Sequence, residues 1–227
     1  MIIAIDGTAG SGKSTTAQEV ARRLGFLHLD SGALYRAFAV AACRHGWASP
    51  AGVVPAERIP ELASQKVMAE VHAGGLAIVL DGRRLTEELR SPSVSACASK
   101  VSVFPEVRTR VDEILRRLAA DYSGGVVCEG RDMATVVFPQ ADVKVFMQAS
   151  SSVRAQRRLL QRGEKVTTEG VQAETRRLVA RDSADSGREV SPLRKADASI
   201  VIDTTELSFE EQVQQILDAA AERLDTA

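Results

Sequence analysis

Short apolar runs alternate with stretches of helical periodicity along most of this chain. The runs are rich in β-branched residues, which predicts five strands, at residues 2–5, 26–29, 124–128, 143–147 and 199–203. Between the runs, apolar residues recur at spacings of three and four, which predicts helices. Strands that alternate with helices form a parallel sheet with helices on both faces. The pattern therefore predicts an α/β fold built on a five-stranded parallel sheet.

This alternation is interrupted in the first half of the chain. Residues 67–71 and 76–80 are two strand-like segments with no helix between them. Gly74-Gly75 separates them and Asp81-Gly82 follows, and both pairs are typical of hairpin turns. We therefore predict a small antiparallel sheet that is inserted into the α/β core.

A glycine-rich segment lies between the first predicted strand and the first predicted helix. Residues 7–14 have the pattern G-x-x-x-x-G-K-S, which is the P-loop in its required context. Glycines let the backbone wrap round a polyphosphate, which then faces the loop N–H groups and the positive end of the helix dipole. Lys13 is expected to contact the β- and γ-phosphates, and the Ser14 hydroxyl to bind Mg²⁺. The plain alternative is a glycine-rich turn before a helix.

The predicted binding site for the nucleoside triphosphate covers the whole loop. Its residues are Gly7, Thr8, Ala9, Gly10, Ser11, Gly12, Lys13, Ser14 and Thr15.

Length, charge and cysteine content narrow the class of protein. The 227 residues suit one large domain or one domain with insertions, and no apolar run approaches the ~20 residues that span a bilayer. The 29 basic and 30 acidic residues give a net charge of −1, which predicts neither a nucleic-acid nor a membrane partner. The three cysteines form no CxxC pair, and the N-terminus is a predicted strand and not a signal peptide. We therefore expect a cytoplasmic protein.

Several charged residues indicate which P-loop chemistry the chain performs. The chain contains no Asn, so it lacks the NKxD-type guanine motif of the GTPases. Asp30, Glu129 and Arg131 each follow the end of a predicted strand. Because the carboxyl ends of parallel strands meet at one edge, we expect these three residues at one rim, where ligands bind such sheets.

A basic segment predicts a second substrate that carries phosphate. Three acidic residues, Asp182, Asp185 and Glu189, leave this segment a local excess of +3, since it holds six basic residues. Forked guanidinium groups bind phosphate oxygens in pairs, so several converging arginines would suit a phosphate. The alternative is a solvated helix surface. The basic residues are Arg176, Arg177, Arg181, Arg188, Arg194 and Lys195.

Further motifs follow the P-loop in a fixed order. They are Leu29-Asp30-Ser31-Gly32-Ala33-Leu34-Tyr35-Arg36, Ala98-Ser99-Lys100-Val101, Phe104-Pro105-Glu106-Val107-Arg108, the run from Gly130 to Pro139, Arg181-Asp182 to Arg188, and Pro192-Leu193. With the P-loop they make the chain resemble, over nearly its whole length, the bacterial cytidylate kinases. These enzymes are P-loop nucleoside monophosphate kinases of pyrimidine metabolism that act on CMP and dCMP.

The resemblance implies a fold and an activity. It implies a kinase core over residues 1–32, 100–150 and 168–227, an inserted monophosphate-binding domain over 33–99, and a short helical lid over 151–167. It implies transfer of the γ-phosphoryl group of Mg-ATP to CMP or dCMP by a monomer. The alternatives are a P-loop kinase for another monophosphate and a nucleotide-binding module without turnover.

The resemblance also implies residue roles. Ser99, Arg108, Asp132 and Arg188 would bind the cytosine, Arg181 and Asp185 the ribose, and Ser31, Arg36 and Arg131 the acceptor phosphate. The catalytic residues would be Lys13, Arg131, Arg157 and Arg181, with Arg154 and Arg158 as further lid arginines. Mg²⁺ would bind Ser14, with Asp30 or Glu129 acting through water.

Two departures and three alternatives qualify these roles. Glu129 stands where close relatives often have Asp, and Ala184 and Ser186 stand where some relatives have arginine. From the residues alone, Ser31 could instead cap its helix, Arg108 could be an exposed helix arginine, and Asp132 could cap a helix or pair with Arg131.

Overall fold

A computed structural model describes residues 1–72 and 75–225 of the chain. The strands are β1 (Ile2–Gly7), β2 (Leu27–Asp30), β3 (Val67–His72), β4 (Gly75–Leu80), β5 (Arg83–Leu85), β6 (Val126–Gly130), β7 (Val143–Gln148) and β8 (Ile200–Asp203). The helices are α1 (Lys13–Leu24), α2 (Ser31–Arg44), α3 (Ile59–Ala63), α4 (Pro92–Val101), α5 (Pro105–Asp121), α6 (Ser151–Gln161), α7 (Thr168–Ser186) and α8 (Phe209–Asp225). No helix in these two ranges is long and apolar enough to cross a membrane.

The larger sheet has five strands in the order β2-β6-β1-β7-β8. The pairs β1–β6, β1–β7 and β7–β8 are parallel, which confirms the predicted α/β architecture.

The end of β6 was predicted wrongly at Cys128. The strand continues to Gly130, because its backbone still pairs with β1 where Asp6 lies beside Gly130. Glu129 therefore lies inside the strand and is buried, whereas the sequence placed it after the strand end.

The smaller sheet is antiparallel and has the order β3-β4-β5. Its first two strands pair from Val67 with Leu80 to His72 with Gly75, which confirms the predicted hairpin. Gly74, in the predicted turn, lies outside the described residues. The third strand, β5, was not predicted, and it pairs with β4 through Leu80 and Arg83.

The chain divides into two compact units. The first unit contains Met1–Phe26 and Gly124–Ala227, and the second contains Leu27–Ser123. The predicted boundaries of the core, the insertion and the lid were drawn from expected substrate roles, whereas the two units are defined by compactness. The units therefore do not test these boundaries, which stay a prediction.

The core of the first unit fixes the strand that leads into the P-loop. Ile3 and Ile5 of β1 are fully buried and pack in one cluster with Val20 of α1 and with Val213 and Ile216 of α8. Helix α8 begins after a capping box, in which Ser208 Oγ accepts a hydrogen bond from the backbone N–H of Glu211 and Glu211 Oε2 accepts one from the N–H of Ser208. Because Ile3 and Ile5 lie on the same face of β1, α1 and α8 together cover that face of the strand.

Candidate active site

The P-loop of the first unit begins where β1 passes closest to β7. A Cβ added to Gly7 would lie 1.9 Å from the carbonyl oxygen of Met147, so only glycine fits there. Gly10 and Gly12 have φ of 78° and 93°, the left-handed region that favours glycine. Gly12 precedes the first turn of α1, and no side chain in the described part of the chain caps that turn. The N–H groups of this turn are therefore not engaged by a capping side chain, as an anion site requires.

Lys13 is buried at the start of α1. Its Nζ donates a hydrogen bond to the carbonyl oxygen of Thr8, at 2.8 Å. Burial, and then the positive charge of Arg131, lower the pKa of Lys13 to about 7, although Glu129 and Asp6 oppose this shift. A bound polyphosphate would favour the charged ammonium and raise the pKa again.

This arrangement predicts proton uptake when a nucleotide binds. Because the pKa of Lys13 is lowered to about 7, this side chain is largely neutral at pH 8, whereas the phosphates of ADP are already ionised. Binding of ADP should therefore take up part of one proton, and less as the pH falls below 7. Calorimetry in two buffers of different ionisation enthalpy measures this uptake.

The Lys13→Arg variant is the control for proton uptake, because a guanidinium stays charged throughout this pH range. It should take up almost no proton. Equal uptake by the two proteins, or proton release by the wild type, would contradict the role given to Lys13.

Two oxygen-bearing residues fit a divalent cation next to the P-loop. Ser14 is exposed on the first turn of α1, and Glu129 is buried in β6 beside β1. Hydroxyl and carboxylate oxygens are the ligands that Mg²⁺ prefers. No group of three or more His, Cys, Asp or Glu side chains in the described ranges could hold a metal ion. Ser14 and Glu129 therefore fit a cation whose other ligands are the phosphate oxygens of a bound nucleotide.

A buried carboxylate gathers arginines near the end of β6. Asp185 of α7 is 1% exposed and accepts a hydrogen bond from Nε of Arg131 at 2.8 Å. Its other oxygen contacts Arg188. Burial opposes ionisation of Asp185, but Arg131 and Arg188 together hold its pKa below the usual range. Burial, and then repulsion from Arg131, lower the pKa of Arg181 to about 10, so three guanidinium groups share this region.

Only part of the basic segment shows the predicted convergence on one point. Arg188 pairs with the Asp185 carboxylate, and Arg181 lies close enough to interact with its charge. The solvated-surface alternative describes the remaining members, all of which are exposed: Arg176, Arg177, Arg194 and Lys195.

Asp6 is a buried carboxylate that sequence reasoning did not assign. Its two oxygens accept hydrogen bonds from the backbone N–H groups of Met133 and Ala134, both at 2.8 Å. Burial raises the pKa of Asp6 to about 6 despite these two bonds. Asp6 thereby ties the end of β1 to the turn that carries Arg131 and Asp132. The available signal was a carboxylate directly after a fully apolar strand.

Asp132 itself is buried at the start of that turn. Its side chain makes no cap hydrogen bond to the turn over Met133–Val137, so the alternative role as a helix cap is wrong.

The lid arginines of α6 contact protein groups at the P-loop. Arg157 donates to the Oγ1 of Thr204 at 2.9 Å and to its carbonyl oxygen at 2.6 Å. The Thr204 hydroxyl in turn donates to the carbonyl oxygen of Ser11, at 3.0 Å. Arg154 donates to the carbonyl oxygen of Ala9 at 2.8 Å. Sequence reasoning missed Thr204, which lies 193 positions from its P-loop partner.

The second unit carries the other predicted residues on α2, α4 and α5. Asp30 caps α2, because its Oδ1 accepts a hydrogen bond from Ala33 N–H, and its Oδ2 accepts one from Arg36 at 2.6 Å. Ser31 is buried as the first residue of α2, so it is not the cap. Both carboxylate oxygens of Asp30 therefore have partners within this unit.

Arg108 of α5 is 3% exposed, which rules out the exposed-arginine alternative. It donates to the carbonyl oxygen of Ser102 at 2.9 Å, and its guanidinium lies 5.5 Å from the centre of the Tyr35 ring. Ser99 of α4 is half-buried, and its carbonyl oxygen accepts a hydrogen bond from the Ser102 hydroxyl. Ser102 thus connects two of the predicted base-binding residues, and the sequence did not single it out.

Comparisons with known proteins agree over nearly the whole chain. A family model described as cytidylate kinase matches residues 3–222. A cytidylate kinase of Desulfitobacterium hafniense is 43% identical, covering 99% of this chain and 94% of that protein. A cytidylate kinase of Salinibacter ruber is 44% identical and covers 96% of each protein. A solved shikimate kinase from Bacteroides thetaiotaomicron has a TM-score of 0.50 at 13% identity and covers 97% of this chain and 98% of its own, a likeness of fold alone.

Proposed function

This chain belongs to the cytidylate kinase family, and we infer that it is an ATP-dependent CMP kinase that forms CDP and ADP. The observation that carries this conclusion is the P-loop with its buried Lys13, in the same unit as the guanidinium groups around Asp185. A P-loop explains binding of the donor. Clustered guanidinium groups suit a second, phosphate-bearing substrate.

The finer proposal concerns the substrates and the ion. The donor is ATP with Mg²⁺, which Ser14 and, through water, Glu129 would hold. Bound Mg²⁺ would neutralise charge on the phosphates. The acceptor is CMP or dCMP. Because ATP and CMP are cytoplasmic metabolites, we place the enzyme in the cytoplasm, and the family resemblance supports a monomer.

The proposed transfer needs no general base. A phosphate monoester has a second pKa near 6, so the acceptor is largely dianionic at neutral pH. Catalysis then consists of positioning and charge neutralisation. Lys13 neutralises the transferred group from the P-loop and Arg157 from the lid helix α6. Arg131 and Arg181 do so from the cluster around Asp185. Arg157 has to exchange its bonds to Thr204 for phosphate oxygens.

CMP binding is assigned to individual residues on the strength of the family motifs. The base is assigned to Ser99, Arg108, Asp132 and Arg188, the ribose to Arg181 and Asp185, and the acceptor phosphate to Ser31, Arg36 and Arg131. A buried carboxylate such as Asp132 accepts a hydrogen bond from the 4-amino group of cytosine. Uracil presents an oxygen at this position, so UMP is penalised.

The experiment is an ADP-release assay with Mg-ATP and five acceptors: CMP, dCMP, UMP, AMP and GMP. We expect CMP and dCMP to lead, with kcat/KM at least about a hundredfold above that for UMP. Turnover led by another monophosphate would overturn the base assignment. The absence of turnover with every acceptor, despite tight ATP binding, would favour the module without turnover.

A further inference from the structure

Helices α6 and α7 contact the methyl group, the N–H and the carbonyl oxygen of one P-loop residue, Ala9. Its methyl group packs in a buried cluster with Ala155 of α6 and Leu178 of α7. Its N–H donates to Oδ1 of Asp182 at 3.0 Å, and its carbonyl oxygen accepts from Nη1 of Arg154 at 2.8 Å. The tip of the loop is therefore fixed from outside the predicted phosphate site.

Asp182 and Arg154 also bind each other. Nη1 of Arg154 lies 2.6 Å from Oδ2 of Asp182, and both side chains are largely buried, at 6% and 15% exposed. Arg154 donates further to the carbonyl oxygen of Ala149, just before α6. Gly10 lies against the same arginine, since a Cβ added there would be 3.4 Å from Arg154 Cβ. The ion pair between Arg154 and Asp182 therefore keeps each side chain in position to bind the backbone of Ala9.

The two helices that carry this pair are themselves braced. Glu174 of α7 is buried, and it accepts hydrogen bonds from both terminal nitrogens of Arg162, which follows α6, at 3.2 and 3.1 Å. The carboxylate lies 3.9 Å from Nε of Arg158 in α6. Helices α6 and α7 therefore meet the loop as one hairpin, and a shift of either helix moves both contacts to Ala9.

We propose that Asp182 and Arg154 are positioning residues that hold the tip of the P-loop in the conformation that binds the phosphates of ATP. This proposal rests on the proposed function, in which the loop binds ATP. Its basis is the closed set of contacts among Asp182, Arg154 and Ala9. The family resemblance implied that Arg154, like Arg157 and Arg158, reaches the transferred phosphate. Its bonds to Ala9, Ala149 and Asp182 favour a positioning role for Arg154 instead.

Removal of the carboxylate should loosen the loop without removing any phosphate ligand. In D182A the N–H of Ala9 loses its acceptor and Arg154 loses its buried counter-charge. In D182N an oxygen acceptor for Ala9 remains, but the charge opposite Arg154 is gone. The effect should therefore be graded, with D182A weaker in nucleotide binding than D182N.

The matched control is Asp142, which makes the same kind of contact at the other end of β1. Its Oδ2 accepts a hydrogen bond from the backbone N–H of Ile2, at 2.7 Å on the exposed surface. D142A thus removes a carboxylate-to-backbone bond at Ile2, the first residue of β1, and leaves the contacts of Ala9 in place. It should leave nucleotide binding unchanged.

The test is titration calorimetry with Mg-ADP and no CMP, followed by steady-state kinetics. We expect the Kd for ADP and the KM for ATP to rise about tenfold in D182A and about threefold in D182N, with the KM for CMP within twofold of wild type. D142A should match the wild type in all three constants.

An ADP affinity within twofold of wild type in D182A would overturn the proposal, even if thermal stability fell. Should D182A not fold, D182N carries the test alone, and wild-type affinity in that variant overturns it. A wild type that binds ADP without phosphorylating CMP would refute the proposed function, whereas the effect of D182A on ADP affinity would still decide the role of Asp182.

Discussion

Replacing Lys13 with methionine is expected to lower kcat for CMP phosphorylation by at least about a thousandfold, or about 4 kcal/mol of transition-state stabilisation. Methionine nearly matches the length and apolar stem of lysine but carries no charge. Nζ of Lys13 is the cationic group that α1 places inside the P-loop, so its loss leaves the charge on the transferred phosphoryl group uncompensated there. Steady-state kinetics with Mg-ATP and CMP measures the change.

The fold of the Lys13→Met variant should survive. Burial lowers the pKa of Lys13 to about 7, which means that the folded protein holds the charged form at a cost that methionine does not bear. Circular dichroism and thermal melting should therefore match the wild type within a few degrees. A variant that folds normally and keeps more than a tenth of wild-type kcat would refute the catalytic role.

Replacing Asp185 with alanine is expected to destabilise the protein by about 3 kcal/mol or more and to lower Tm by about 10 °C. Asp185 is the buried counter-charge of Arg131 and Arg188 and also attracts Arg181. Removing it leaves three guanidinium groups close together with no carboxylate between them. Breaking a buried pair is costly because the remaining charge stays desolvated. Urea denaturation of wild type and variant at pH 7 measures the loss.

The loss of stability in the Asp185→Ala variant should depend on pH. Because Asp185 has a lower pKa in the folded protein than in the unfolded chain, its contribution is complete above the unfolded pKa and is lost as the pH falls through the folded pKa. The difference between wild type and variant should thus be largest at neutral pH and should shrink below pH 4. The control is Asp218→Ala, which removes an exposed hydrogen bond from Gln214. A loss at pH 7 no larger than that of the control would contradict the account.

Local patterns decided which parts of the fold could be predicted. The P-loop was predictable because strand, loop and helix are contiguous and each glycine has a local backbone reason. Strand β5 was missed because it is only three residues long and its two arginines are exposed, so it shows no apolar run; pairing with β4 makes it a strand. The end of β6 was missed for a similar reason, since Glu129 and Gly130 extend the strand only because β1 continues beside them.

The residues of the candidate site also fall into two groups: those that a local pattern predicts and those that only tertiary contacts identify. Lys13 and Ser14 follow from the loop pattern, whereas the partners of the loop follow from tertiary contacts. Asp182 reaches Ala9 across 173 positions of the chain, and no local pattern marks it among the other charged residues of α7. The partial convergence of the basic segment was likewise not predictable, because it depends on tertiary contacts with the buried carboxylate of Asp185.

The most direct test of the central claim is to identify the product by ³¹P NMR in a mixture of ATP, CMP and Mg²⁺ with the enzyme. ADP release alone would not separate phosphoryl transfer from hydrolysis of ATP. The account predicts that the signals of CDP and ADP grow together in equal amounts, that inorganic phosphate stays at background, and that the Lys13→Met variant forms neither product on the same timescale. Growth of ADP with inorganic phosphate and no CDP would contradict it.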